Sequence, residues 1–289
     1  MHYLHYDREQ LDRQYNVRAG IPRFQDVFDR WNQQAGDYRR QLSRLPPMRS
    51  NLHYGAHRLQ TLDYFPAAEA AVDAPLLVFV HGGYWRSLDK NDFSHLAEPY
   101  RQAGIAVAMI NYRLAPEVDI PDIVTDVRTA FGWLYRQASS FGFDAERIHV
   151  VGHSAGGHLA AELASTDWRS AGLPADAIKG LCGVSGLYDL EPIRLCYLNE
   201  ALQLDATQVG QYSPLHHLPA TPMPVILTAG GAESAEFHRQ KNAYALALHA
   251  AGFPVQQVKL ADGHHLDVID KLADGDGELA RAIIAMIGR

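Results

Sequence analysis

Six short apolar runs decide what kind of fold this chain can adopt: PLLVFV (75–80), IAVAMI (105–110), RIHVVG (147–152), IKGLCGVSG (178–186), MPVILTAG (223–230) and FPVQQVKL (253–260). Several are apolar throughout, without the alternation of a strand that faces water on one side, so they read as strands covered on both faces. Helical periods lie between them; the clearest sets Ile120, Ile123, Val124, Val127, Ala130, Phe131 and Leu134 on one stripe. Strands and helices alternating in this way predict an α/β fold, with a mostly parallel central sheet of about eight strands and helices on both faces. At 289 residues the chain suits one large domain. Residues 1–50 read as a helical extension and 51–289 as the core. Within the extension a short helix is expected near Arg8 to Tyr15. A longer one sets Phe24, Val27, Phe28, Trp31, Ala35, Tyr38, Leu42 and Leu45 on one face and ends before Pro46 and Pro47. Pattern alone leaves open whether the extension caps a site or simply packs on the sheet.

Composition narrows the function. The net charge is −7 and no dense cluster of Lys and Arg is present to neutralise phosphates, which argues against a nucleic-acid partner. No run approaches the ~18 apolar residues of a membrane span, and the polar, acidic start does not read as a signal peptide. Cys182 and Cys196 are too few for a disulfide framework and lack zinc-site spacing, so they read as idle thiols in a reducing compartment. A cytoplasmic protein with a small-molecule substrate, no membrane partner and room for a homodimer is expected. No His, Asp or Glu group stands at helical metal-ligand spacing in a strand-end context, so no metal or other cofactor is expected.

One stretch carries chemistry. HVVGHSAGGHLAAELA (149–164) places Gly152-His153-Ser154-Ala155-Gly156 between a strand and an alanine-rich helix. G-x-S-x-G in that context is the nucleophile elbow, a strained turn that exposes a serine beside a helix N-terminus. Taken alone, the motif also fits a serine that merely caps a helix. A serine nucleophile needs a base, and the base needs an orienting carboxylate, in the chain order Ser, acid, His. Glu233 follows the run ending at Gly230, and His264 and His265 follow the run ending at Leu260; both places are carboxyl ends of strands, where open α/β sheets collect their sites. Glu233 is the first choice as acid, with Asp189 its rival and Glu236 a third. His265, which begins a helical period, is preferred to His264 as base, and His153 inside the motif is not the base. HGGYW (81–85), at the end of the first run, supplies backbone for an oxyanion hole: Gly82 and Gly83 with Ala155, with the Tyr84 N–H as a further donor. Tyr84 and Trp85 lie next to that hole and could stack on an aromatic substrate, although Trp85 could equally pack under the loop and stiffen it.

HGGYW, NYRLAPE (111–117), GHSAGGH (152–158), ESAEFHRQ (233–240) and HHLDVID (264–270) together resemble the hormone-sensitive-lipase-like branch of the α/β-hydrolases, and within it the kynurenine formamidases (arylformamidases). The resemblance runs from about Leu76 to the C-terminus. It implies an α/β-hydrolase fold, a metal-independent serine hydrolase acting in tryptophan catabolism, Ser154 as nucleophile, Glu233 as acid, His265 as base, and Gly82, Gly83 and Ala155 as oxyanion donors. One departure stands out: the family usually has Asp where this chain has Glu233, and the extra methylene obliges the loop to adjust. The implied substrate is an aryl formamide such as N-formylkynurenine, whose amino-acid end residues 14–18 could approach. A carboxylesterase acting on small acyl esters is the alternative, and a non-catalytic small-molecule-binding use of the fold is a minor one.

Overall fold

The computed structural model describes residues 3–42, 48–69 and 73–288. Eight strands form one sheet: β1 (Arg49–His53), β2 (Thr61–Phe65), β3 (Ala74–Val80), β4 (Ala106–Ile110), β5 (Phe143–His153), β6 (Gly180–Val184), β7 (Val225–Thr228) and β8 (Val255–Gln257). Their order is β1-β2-β4-β3-β5-β6-β7-β8. The β1–β2 and β2–β4 pairs are antiparallel and the others parallel. All six apolar runs lie on strands of the parallel part. In β3 every residue is buried. Leu76, Val78 and Val80 contribute to one core and Leu77 and Phe79 to the other, as expected of a strand sandwiched between helical layers.

β1 and β2 are not among those runs. β2 reads TLDYF, and its central Asp63 interrupts the apolar count, yet all five of its residues are buried. The Lys90 ammonium, itself 1% exposed, lies 3.0 Å from the Asp63 carboxylate, and Arg39 bonds it as well. Burying a carboxylate is tolerable only when it is paired in this way.

The helix Ile120–Arg136 buries the whole predicted stripe, with Asp119 as its N-cap. The extension forms α1 (Arg8–Tyr15) and α2 (Phe24–Leu42), both where the periodicity predicts them. Leu45, Pro46 and Pro47, expected at the end of α2, lie outside the described residues. α1 opens with a capping box, Asp7 and Gln10 bonding reciprocally. The two helices settle on opposite faces of the sheet. Leu11 and Tyr15 of α1 join one core, while Val27, Trp31, Tyr38 and Leu42 of α2 join the other. Removing each such large side chain from water contributes roughly 1.5–3 kcal/mol. Residues 16–23, which link the helices, therefore pass from one face to the other.

Candidate active site

Ser154 stands at the end of β5 with φ 57° and ψ −122°, immediately before the helix Ala155–Ala164. Sequence forces that geometry through the glycines on either side. A Cβ at Gly152 would lie 1.9 Å from the Gly156 carbonyl oxygen, and one at Gly156 would lie 2.0 Å from that of Val80. Strand and helix can approach this closely only without side chains, and the serine between them takes the strained φ.

His265 connects the serine to an acid. Its Nε2 is 2.9 Å from Ser154 Oγ, and its Nδ1 is 2.6 Å from Glu233 Oε2. All three side chains are nearly enclosed: Ser154 is 2% and His265 5% exposed, and Glu233 has a 1% exposed side chain. The longer glutamate is accommodated because its second oxygen accepts from Ser185 Oγ at 2.5 Å and from the Gly230 N–H at 2.7 Å. Burial alone would raise the Glu233 pKa, but the His265 ring and the hydrogen bonds from His265, Ser185 and Gly230 outweigh it and hold the carboxyl below its ordinary range. Ser185, itself at φ 51°, follows β6 and was not singled out by its sequence; its signal is its place at the carboxyl end of a strand beside the elbow strand.

The rival residues are engaged elsewhere. Asp189 accepts from Tyr3 Oη at 2.8 Å and from Arg239 at 3.2 Å, and Glu236 accepts from Tyr15 Oη at 2.9 Å. His264 pairs with Asp267 at 3.0 Å. His153 turns behind His265: its Nε2 donates to the His265 backbone carbonyl at 2.9 Å, which leaves its Nδ1 unprotonated. Burial and the neighbouring His265 ring push the His153 pKa down to about 3, so it stays neutral beside His265.

The HGGYW loop crosses in front of the serine. Gly83, Tyr84 and Trp85 all have positive φ, at 102°, 51° and 57°. Among the described residues, none of the backbone N–H groups of Gly82, Gly83, Tyr84 and Ala155 donates a hydrogen bond. NYRLAPE braces the loop from behind: Tyr112 stacks on His81 at 4.4 Å and donates to the His81 carbonyl at 2.8 Å, while Asn111 Oδ1 is 3.0 Å from His81 Nε2. Trp85, expected as a stacking surface for an aromatic substrate, does not line the cavity. Its two-residue positive-φ turn carries the indole inward, where it is 0% exposed and donates to His158 Nδ1 at 3.2 Å. Trp85 stiffens the loop instead.

A cavity of about 190 Å³ lies over Ser154 and His265, with Phe28, Trp31, Tyr84 and Tyr197 as its aromatic lining and Arg18 and Arg86 as its cations. A second cavity, of about 590 Å³, touches His265 from the other side and includes Glu9, Asp12 and Glu233. The two share only Asn16, Val17 and His265, so the link between α1 and α2 is the partition. Tyr84 Oη donates to the Tyr15 carbonyl at 2.7 Å, and Ser234 Oγ donates to that of Gln14 at 2.7 Å, tying the end of α1 to both loops of the site. No group of three or more His, Cys, Asp or Glu side chains suited to a metal ion occurs among the described residues, nor does a helix long and apolar enough to cross a membrane.

The family model BD-FAE matches residues 62–236. The kynurenine formamidase of Danio rerio is 34% identical over 241 residues, covering 82% of this chain and 80% of that protein. Among solved structures, a candidate thioesterase from Silicibacter sp. superposes with a TM-score of 0.82 at 32% identity over 97% of this chain and 99% of that one. An esterase from Pyrobaculum calidifontis shares the fold, with a TM-score of 0.69 at 20% identity over 97% of this chain and 96% of that one. Strand order, elbow and these likenesses agree: the chain belongs to the BD-FAE family, on the hormone-sensitive-lipase-like branch of the α/β-hydrolases and homologous to the kynurenine formamidases, and it is a hydrolase.

Proposed function

We propose that the protein cleaves an aryl formamide such as N-formylkynurenine through an acyl-enzyme on Ser154. The observation that carries this reading is the unbroken relay from Ser154 Oγ through His265 to Glu233, at 2.9 and 2.6 Å. His265 takes the serine proton as Oγ attacks the carbonyl carbon, and Glu233 holds the ring's tautomer and balances its charge. Charge developing on the carbonyl oxygen meets the free N–H groups of Gly82, Gly83 and Ala155, each worth roughly 2.7–4 kcal/mol to the transition state. The imidazolium then protonates the departing aryl nitrogen, and water, activated by the same histidine, releases formate.

A cavity of about 190 Å³ is small beside the ~300–1,000 Å³ usual for ligand pockets, which suits a one-carbon acyl group on a single aromatic ring. The substrate named for the relatives points the same way. In this reading residues 51–289 are the catalytic core and 1–50 a partial cap, and the buried free thiols of Cys182 and Cys196 suit the reducing cytoplasm. The likeness to the isoprenylcysteine alpha-carbonyl methylesterase of Arabidopsis thaliana, 28% identical over 265 residues, favours a second reading, a carboxylesterase for small acyl esters using the same relay. Turnover of N-formylkynurenine beside p-nitrophenyl acetate separates the two: brisk ester cleavage with negligible formamide hydrolysis removes the first.

A further inference from the structure

The cavity over Ser154 contains two arginines and no carboxylate, in a chain whose net charge is −7. The neighbouring cavity across the partition holds three carboxylates, Glu9, Asp12 and Glu233, against one arginine, Arg13, so the balance of charge is positive on the Ser154 side and negative on the other. Arg18 comes from the link between α1 and α2, and Arg86 follows the HGGYW loop. Neither guanidinium makes an ion pair or a side-chain hydrogen bond among the described residues. Each instead lies over aromatic rings. Arg18 is 5.3 Å from the centroid of Phe24 and 5.4 Å from that of Phe28, and Arg86 is 5.9 Å from that of Tyr197. A cation–π contact of this kind holds a guanidinium without using its N–H donors, which stay open for two parallel bonds to a planar oxyanion.

We propose that Arg18 and Arg86 form a subsite for a carboxylate carried by the leaving group of the substrate. This rests on the reading of Ser154 as nucleophile. A formyl group has only hydrogen beyond its carbonyl, so an anion held at the mouth of the cavity belongs to the aryl amine side. The subsite selects anionic aryl substrates over neutral ones of the same shape, and because both arginines are exposed the preference weakens with salt.

The test compares 4-acetoxybenzoate with its methyl ester, which share acyl group and ring but differ in charge. The ratio of their kcat/KM values should fall about tenfold in Arg18→Gln or Arg86→Gln, and further in the double variant. Arg→Lys at either place should restore part of it, and added salt should lower the wild-type ratio towards that of the double variant. A second measurement needs no turnover: by calorimetry, 4-acetoxybenzoate should bind Ser154→Ala about tenfold more tightly than Ser154→Ala/Arg86→Gln. A charge ratio that stays within about twofold in a folded double variant, or equal binding in the calorimeter, overturns the subsite. Undiminished hydrolysis by Ser154→Ala would instead overturn the nucleophile, and the arginine variants would still report on the subsite.

Discussion

Ser154 and Arg18 face one cavity but are held in opposite ways. The serine is built into the sheet: its N–H donates to the Val184 carbonyl at 2.8 Å, and the backbone around it has no room for a methyl group at Gly152 or Gly156. Arg18 sits on an exposed link whose approach is fixed by a few hydrogen bonds, from Tyr84 Oη and Tyr197 Oη to the Tyr15 carbonyl and from Ser234 Oγ to that of Gln14. The geometry of the relay thus rests on packed elements, while the proposed carboxylate subsite lies on an attachment.

The sharpest way to break this contrast is at the sheet. Ser154→Ala should lower kcat/KM by about ten-thousand-fold or more with little change in Tm. Glu233→Gln should lower it about a thousandfold, whereas Asp189→Asn should cost less than tenfold, because Asp189 is occupied with Tyr3 and Arg239. A large loss in the second variant alone would move the acid to Asp189. Gly156→Ala brings a methyl carbon against the Val80 carbonyl and should destabilise the fold by more than about 4 kcal/mol, read as a drop in the denaturant midpoint.

Acid should find the same region. Burial pushes His149 in β5 and His95 down to about 4, and His153 down to about 3. The unfolded chain takes up a proton at each ring near pH 6.5 that the folded chain refuses, so stability is full above that pH and falls as the pH drops towards 4. Tm should be about 10 °C lower at pH 5 than at pH 7; a flat profile would mean that these rings are not buried in neutral form. The smallest effect is expected at the attachment. Tyr84→Phe removes the bond to Tyr15 and should raise KM a few-fold with kcat nearly constant, at a stability cost of about 1 kcal/mol. A fall in kcat as large as that of Glu233→Gln would show that the link also governs the chemical step.

The parallel sheet was legible because β3 to β7 are dominated by apolar residues, β8 with its exposed Gln256 and Gln257 being the weakest signal, and the relay was legible because Ser154, Glu233 and His265 follow the carboxyl ends of three such segments. β2 was hidden by Asp63, whose charge is neutralised by residues distant in sequence, Lys90 and Arg39. The direction of Trp85 was hidden as well, since two successive positive φ values turn it inward and the dipeptide gives no sign of them. Amphipathic periodicity located α1 and α2 but could not tell which face of the sheet each covers. Only the contacts show that they cover different ones, so that the extension both packs on the sheet and walls the site.

That straddling anchors the link at both ends, with its middle lying over the cavity. Changing the length of such a segment by a few residues costs little entropy, because closure cost grows only logarithmically. The sheet would not register the change, but the mouth of the cavity would. A lineage carrying this fold can therefore revise what it hydrolyses by editing residues 16–23, and keep how it hydrolyses unaltered.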